Sequence, residues 1–221
     1  MLKNYCKRTE FDSYEDFYQN FDINVPSRFN FAYDVVDDIA AKEPDRTAIV
    51  WCDDHGNDRT FTFGELKIYS DKTANLLLKH GVDKGDAVML ILKRRFEFWF
   101  CLLACHKIGA VAIPATHLLT KKDLVYRNNA ADIKLIISVN EDEVCSQIEA
   151  AEPESPTLTG KMLLTESRSG WINFDDELNA ADAAWKKPSG NNLACDEDMM
   201  LLYFTSGTTG MPKMVCHDFT Y

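Results

Sequence analysis

Short apolar runs that alternate with helical patterns constrain the fold of this chain more than any other feature. Residues 87–92 (AVMLIL) are apolar throughout, which is typical of a strand buried on both faces of a sheet. Further strands are predicted at residues 110–114, 134–139 and 199–204, and helices at residues 96–108, 120–130 and 141–151. This alternation predicts an α/β fold with a predominantly parallel, helix-covered sheet.

The regions outside this alternation have different patterns. Residues 1–29 are rich in aromatic and acidic side chains and are predicted to form an N-terminal arm, with one domain over residues 30–221. Apolar residues spaced three to four apart predict a helix at residues 30–41. Thr62 and Glu65 have the spacing of a capping box at the start of the next helix. Residues 151–192 are expected to be an irregular surface stretch with one short strand at residues 161–164.

Charge and hydropathy exclude several functions. Lys and Arg number 24 against 35 Asp and Glu, so the formal net charge is −11. This charge disfavours nucleic acids and anionic membrane surfaces as partners, because both attract cationic proteins. The longest apolar run, residues 98–105, is far shorter than the roughly 18 residues that cross a bilayer. The first residues lack the apolar core of a signal peptide, and a cytoplasmic location is expected.

The cysteines do not form a recognisable metal-binding pattern. The chain has seven, an odd number, and no C-x-x-C spacing. Cys101, Cys105 and His106 together could suggest a metal site, but no second pair of ligands follows. Buried helical cysteines are the favoured interpretation, and no metal ligand is assigned. The neighbouring aromatic run at residues 96–100 is likewise interpreted as core packing, although three cations, at residues 93–95, precede it.

One segment, Tyr203–Lys213 (YFTSGTTGMPK), carries most of the chemical information. A buried strand leads into a run of Ser, Thr and Gly in which successive backbone N–H groups can face one anion. Hydroxyl groups and the ammonium group of Lys213 add further phosphate donors. The run is not a Walker A loop, since Pro212 stands where that motif needs glycine. An extended exit is predicted after Lys213, and a simple Gly/Thr-rich turn between two strands is the alternative without a ligand.

Tyr203–Lys213 resembles the phosphate-binding signature of the adenylate-forming superfamily, which includes acyl-CoA synthetases. Residues 29–37, 60–66, 81–86 and 109–114 also resemble segments of this family, so the similarity extends from about residue 30 to residue 221. The fold implied is the first subdomain of the N-terminal lobe of such an enzyme. Met214 and His217 resemble the medium-chain branch.

The resemblance implies a two-step reaction in which ATP activates a small carboxylic acid and coenzyme A then displaces AMP. ATP, Mg²⁺ and coenzyme A are the implied co-reactants, and the acid is expected to be medium-chain or branched short-chain. His217 is implied near the acyl site, with an ordinary exposed histidine as the alternative. The implied ATP-phosphate ligands are Thr205, Ser206, Gly207, Thr208, Thr209, Gly210 and Lys213.

The family's adenine segment, hinge and C-terminal catalytic lysine are not found in these 221 residues. The chain by itself is therefore expected to be inactive, with no complete set of catalytic residues. The alternative function is a non-catalytic scaffold that binds a nucleotide or oligomerises, and a homo-oligomer is possible for either function.

Overall fold

The computed structural model describes residues 5–206 and 210–221 of the chain. The strands in these ranges are β1 (Thr47–Cys52), β2 (Asp58–Thr62), β3 (Ala87–Ile91), β4 (Val111–Pro114), β5 (Ile133–Ser138), β6 (Gly160–Leu163), β7 (Ile172–Asn173), β8 (Met199–Thr205) and β9 (Lys213–Asp218). The helices are α1 (Tyr14–Asn20), α2 (Asp38–Lys42), α3 (Phe63–Lys79), α4 (Glu97–Ile108), α5 (Lys121–Ala130), α6 (Asp142–Ala151) and α7 (Phe174–Ala180). A π-helical segment, Ala32–Asp37, runs directly into α2, and 3₁₀ turns lie at Glu152–Glu154 and Gly190–Asn192.

A seven-stranded sheet organises most of the fold, in the order β7-β6-β5-β3-β4-β8-β9. Its neighbouring strands are parallel except β8 and β9, which form an antiparallel hairpin. Strands β1 and β2 form a separate antiparallel hairpin. The predicted α/β class with a predominantly parallel, helix-covered sheet is confirmed.

Helices cover both faces of the sheet, as the side chains of β3 show. Val88 and Leu90 join residues of α3 and α4 in one apolar cluster, whereas Met89 and Ile91 join residues of α5 and α6 in another. Successive side chains of a strand point to opposite faces, so a strand covered on both sides must be apolar throughout. All five residues of β3 are buried, as their sequence predicted.

The ends of the helices follow local sequence signals. The Thr62 hydroxyl accepts a hydrogen bond from the backbone N–H of Glu65, and the Glu65 carboxylate accepts one from the backbone N–H of Thr62. This is the predicted capping box. Gly109 ends α4 with a φ of 80°, and a Cβ atom added there would lie 2.8 Å from the Cβ of Ala194. This position therefore needs glycine for both its backbone conformation and its close packing.

A buried ion-pair network joins the π-helical segment to α3 and α4. The Nζ of Lys107, a fully buried residue of α4, lies 2.5 Å from a carboxylate oxygen of Asp71 and 2.9 Å from one of Asp37. Burial raises the pKa of the Asp37 carboxyl, and the Lys107 ammonium opposes this shift. The Tyr33 hydroxyl donates to the carbonyl oxygen of Lys107 and accepts from Trp185 Nε1. The buried ions are thus paired, which avoids the large cost of an isolated charge in the core.

Two segments differ from the sequence-based expectation. The helix predicted over residues 30–41 begins as the π-helical segment, after Asn30, whose side-chain oxygen accepts from the backbone N–H of Ala32. In the stretch 151–192, β6 matches the predicted short strand, but β7 and α7 follow it. Helix α7 was not predicted because its sequence is acidic and only two of its residues, Phe174 and Leu178, are buried. Two apolar positions are too few to show a helical period.

The described part of the N-terminal arm packs loosely. Helix α1 has no buried residue, and an isolated bridge joins Cys6 to Ile23. Phe11, Phe17 and Phe21 pack on one another. Within the described ranges, no helix has both the length and the apolar character needed to span a membrane.

Candidate functional site

The β8–β9 hairpin carries the predicted phosphate-binding segment. Thr205, the last residue of β8, pairs with Lys213, the first residue of β9, and the Thr205 hydroxyl lies 3.4 Å from the carbonyl oxygen of Lys213. The two ends of the glycine-rich run are thereby held side by side. The extended exit predicted after Lys213 is confirmed, since β9 runs to Asp218.

The structure describes four of the seven predicted phosphate ligands. Thr205, Ser206, Gly210 and Lys213 are all exposed, so their donors are accessible to a ligand. Gly210 has a φ of 154°, a value that residues with a Cβ rarely adopt, and no atom lies within 4 Å of the position of an added Cβ. The remaining three ligands, Gly207, Thr208 and Thr209, lie outside the described residues.

Helix α5 contacts this segment at Phe204 and Pro212. The hydroxyl of Tyr126 donates a 2.8 Å hydrogen bond to the carbonyl oxygen of Pro212. Phe204 packs edge-on to Tyr126, and the guanidinium of Arg127 lies 5.2 Å from the Phe204 ring centroid. Strand β8 is parallel to β4, so the segment leaves the sheet at the carboxyl edge of the parallel strands. Ligands of open α/β sheets bind at this edge.

His217 shares one face of the hairpin with Lys213. Side chains alternate along a strand, which places Lys213, Val215 and His217 on the same side of β9. The imidazole ring of His217 lies 3.9 Å, centroid to centroid, from the ring of Tyr221 and 6.0 Å from that of Tyr203. His217 is half-buried, whereas Lys213 on the same face of β9 is exposed.

A second feature at the carboxyl edge was not predicted from the sequence. A crevice of about 860 Å³ opens where β3, β4, β5 and β6 end, and residues 51–55 of the β1–β2 hairpin form one of its walls. We call this cavity the edge crevice. Lys93, Arg94, Thr116, Asn140 and Thr165, all from segments that follow these strands, contribute to its lining. The polar residues that follow each apolar strand are visible in the sequence. That these residues lie together in one crevice depends on the order of the strands in the sheet, which the sequence does not show.

The buried groups of α4 are not arranged as a metal site. Burial raises the pKa of Cys101 and raises that of Cys105 to about 12, so both thiols stay protonated. Burial also lowers the pKa of His106 to about 4, and neither ring nitrogen finds a hydrogen-bond partner among the described residues. Within the described ranges, no group of three His, Cys, Asp or Glu side chains could hold a metal ion. Buried cysteines that serve as packing residues fit these observations.

Comparison with known proteins identifies the family. The sequence profile described as "AMP-binding enzyme" matches residues 36–221. The chain belongs to this family. The match includes the β8–β9 hairpin, the edge crevice and the complete seven-stranded sheet.

The curated relatives of this family member include several acyl-coenzyme A synthetases. An alignment that covers 98% of the chain shows 35% identity to acyl-coenzyme A synthetase ACSM3, mitochondrial, of Mus musculus. An alignment that covers 87% of the chain shows 40% identity to acyl-coenzyme A synthetase ACSM5, mitochondrial, of Rattus norvegicus. The alignments cover 38% and 34% of these relatives, so the chain spans little more than a third of their length. The predicted cytoplasmic location is wrong by this comparison, because these relatives are mitochondrial proteins.

Solved structures share the fold of this family member. The anthranilate CoA ligase AuaEII, in complex with anthranoyl-AMP, superposes with a TM-score of 0.75 at 24% identity. A fatty acyl CoA synthetase of Mycobacterium tuberculosis superposes with a TM-score of 0.71 at 23% identity. The superpositions cover 88% and 86% of this chain but 36% and 34% of those proteins. The fold of the chain is therefore that of the N-terminal part of such enzymes.

Proposed function

We propose that this chain is the N-terminal part of an ATP-dependent acyl-CoA synthetase. Such an enzyme joins a carboxylic acid to the α-phosphate of ATP, releases pyrophosphate, and then transfers the acyl group to the thiol of coenzyme A with release of AMP. Adenylation is needed because a carboxylate is a poor electrophile, whereas AMP is a good leaving group. Membership of the AMP-binding family and the names of the relatives support this proposal.

The observation that carries the proposal is the pairing of Thr205 with Lys213 at the carboxyl edge of the sheet. It brings the Thr205 hydroxyl and the Lys213 ammonium group, at the two ends of the Gly/Thr-rich run, to one exposed position. We assign the β- and γ-phosphates of MgATP to this segment, with Ser206, Thr208 and Thr209 as hydroxyl donors. Gly207 and Gly210 contribute backbone donors, and Lys213 supplies the cation. Phosphoryl chemistry depends mainly on such positioning and charge neutralisation.

The substrate is proposed to be a small carboxylic acid, medium-chain or branched short-chain. His217 is assigned to the vicinity of the acyl group, since it lies on the same face of β9 as Lys213. The apolar Val215 between them and the ring of Tyr203 give this face the character that an alkyl chain needs. Mg²⁺ enters with ATP, and coenzyme A is the thiol co-substrate.

The whole-protein reaction is not assigned to these 221 residues alone. We propose an N-terminal arm at residues 1–29 and a partial AMP-binding domain at residues 30–221, which by itself lacks adenylating activity. The test is acid-dependent exchange of pyrophosphate into ATP. The protein tested contains this chain and has the full length of its relatives. Exchange with medium-chain or branched short-chain acids, abolished or strongly reduced by Lys213→Ala, is expected. Exchange at the wild-type rate by the variant would contradict the role of Lys213.

A scaffold that associates through the β8–β9 hairpin is the second candidate function. Met211, Met214 and Val215 on this edge hairpin are each about two-fifths exposed. Exposed apolar side chains on an edge strand favour association with another chain. Light scattering on the 221-residue chain tests this alternative. A concentration-dependent dimer that Val215→Lys disrupts would support it, and a monomer at all concentrations would contradict it.

A further inference from the structure

The two faces of the β8–β9 hairpin have different neighbours. Directly opposite residues of an antiparallel pair point to the same face, and successive residues of a strand alternate between faces. Thr205 and its partner Lys213 therefore lie on one face, whereas Phe204 lies on the other. Phe204 packs against the apolar cluster on the α5 and α6 side of the sheet. Helix α5 thus contacts the hairpin from the face opposite to the side chains of Thr205 and Lys213.

Tyr126 of α5 contacts the end of the predicted phosphate-binding segment. Its hydroxyl donates a 2.8 Å hydrogen bond to the carbonyl oxygen of Pro212. The pairing of β8 with β9 ends at Thr205 and Lys213, so Pro212 lies one residue outside it. Proline has no backbone N–H, which leaves this carbonyl as its only backbone hydrogen-bonding group. Tyr126 therefore holds the segment at a point that the strand pairing does not reach.

Arg127, the next residue of α5, contacts the start of the same segment. Its guanidinium lies 5.2 Å from the ring centroid of Phe204, and the Tyr126 ring packs edge-on to Phe204 at 6.1 Å. Phe204 directly precedes Thr205, the first of the predicted phosphate ligands. A cation over an aromatic ring contributes more where water is displaced, and the Arg127 side chain is only 13% exposed. Tyr126 and Arg127, which we call the α5 clamp, thus contact both ends of the segment.

Helix α5 is itself held at both ends and can therefore support the clamp. At its start, the backbone N–H of Lys121 donates a 2.7 Å hydrogen bond to Gln147 Oε1 of α6. Near its end, the buried Asn128 donates from Nδ2 to the hydroxyl of Ser155 at 2.9 Å. The α5 clamp thus projects from a helix that is fixed to its neighbours.

We infer that the α5 clamp positions the β8–β9 segment for the β- and γ-phosphates of ATP. Tyr126 and Arg127 are positioning residues in this inference, since they act from the face opposite to Thr205 and Lys213. The inference rests on the proposed function, which assigns these phosphates to the segment. A segment that is held in its binding conformation loses less conformational entropy when the ligand binds, so the affinity for ATP depends on the clamp. AMP lacks the β- and γ-phosphates, and its affinity should not depend on the clamp.

Titration calorimetry with MgATP and with AMP tests the inference, on a protein that contains this chain and has the full length of its relatives. Tyr126→Phe removes only the hydroxyl and should weaken MgATP binding about fivefold, as loss of one ordinary hydrogen bond implies. Arg127→Gln removes the cation over Phe204 and should weaken it about threefold. Both variants should bind AMP like the wild type. Tyr18→Phe removes an exposed hydroxyl from α1 and is the matched control, with both affinities unchanged.

Comparison with Lys213→Ala separates the clamp from the proposed function. If Lys213→Ala loses MgATP binding while both clamp variants bind it like the wild type, the clamp is refuted and the proposed function is supported. If Tyr126→Phe weakens MgATP and AMP equally, its effect is a general structural one, and the clamp is again refuted. Wild-type affinity for MgATP in all three variants, or no MgATP binding by the wild type, would overturn both. Urea unfolding checks each variant, and Arg127→Gln decides the question if Tyr126→Phe does not fold.

Discussion

Replacement of the buried His106 by phenylalanine should remove a large part of the acid sensitivity of the fold. The His106 ring is nearly inaccessible and packs edge-on against Phe219 at 5.5 Å. Burial lowers its pKa from 6.5 to about 4, so the folded chain holds it neutral while the unfolded chain protonates it. Above pH 6.5 the His106 ring is neutral in both states and does not affect the pH dependence of stability. As the pH falls from 6.5 toward 4, protonation of the unfolded chain lowers the free energy of unfolding. A shift of this size corresponds to about 3 kcal/mol between these limits, of which about 2 kcal/mol is lost by pH 5.

Urea unfolding of the wild type and of His106→Phe at pH 7.5, 6.0 and 5.0 measures this difference directly. The variant should equal or exceed wild-type stability at pH 7.5, because phenylalanine fills the same space without two unpaired ring nitrogens. Its advantage should then grow by about 2 kcal/mol at pH 5.0. His117→Gln, an exposed position, serves as the control and should retain the wild-type pH dependence. Parallel pH profiles for wild type and His106→Phe would refute the reasoning.

Three further predictions concern the residues that hold the sheet and its helices together. Lys107→Met removes the fully buried cation that pairs with Asp37 and Asp71, leaving Asp71 only its second partner, Lys67, and should cost about 3–5 kcal/mol in the free energy of unfolding by urea titration. Gly109→Ala forces a left-handed backbone and a clash with Ala194, and should cost about 2–4 kcal/mol in the same assay. Thr62→Ala removes the cap of α3 and should lower stability by about 1 kcal/mol.

Matched variants separate these effects from non-specific damage. Lys79→Met, at an exposed ion pair with Glu177, should change stability by less than about 1 kcal/mol. Gly56→Ala, where φ is positive but no atom lies within 4 Å, tests the backbone cost without the clash. A loss below about 1 kcal/mol for Lys107→Met would contradict the importance of the buried network. Equal losses at Gly109 and Gly56 would show that the close packing against Ala194 contributes nothing.

The parallel sheet was predictable because its strands are buried on both faces. Val88 to Ile91 must be apolar at every position, and this leaves a signal in the sequence that partly exposed strands lack. The start of α3 at Thr62 was equally readable, since a capping box acts over four residues, and Thr120 and Asp123 form the same motif at the start of α5. Helix α7 was missed because two buried residues, Phe174 and Leu178, are too few to set a visible period.

The sites were predictable only where they are contiguous in the chain. The phosphate-binding segment is a single run, so its residue types and order are visible without a structure. The edge crevice combines segments near residues 51, 94, 116 and 140, which only the strand order β5-β3-β4 and the docking of the β1–β2 hairpin bring together. The Lys107–Asp71 pair likewise spans 36 positions and has no local signature.

Binding of MgATP to the 221-residue chain tests the central claim most directly, namely that the β8–β9 segment holds the phosphates of ATP. Titration calorimetry should show saturable binding that Lys213→Ala weakens at least tenfold, since the ammonium makes charge-assisted contacts with phosphate. The Lys122→Ala control should bind like the wild type. Equal affinity of wild type and Lys213→Ala, within twofold, would contradict the assignment and leave the Gly/Thr-rich run as a turn between two strands.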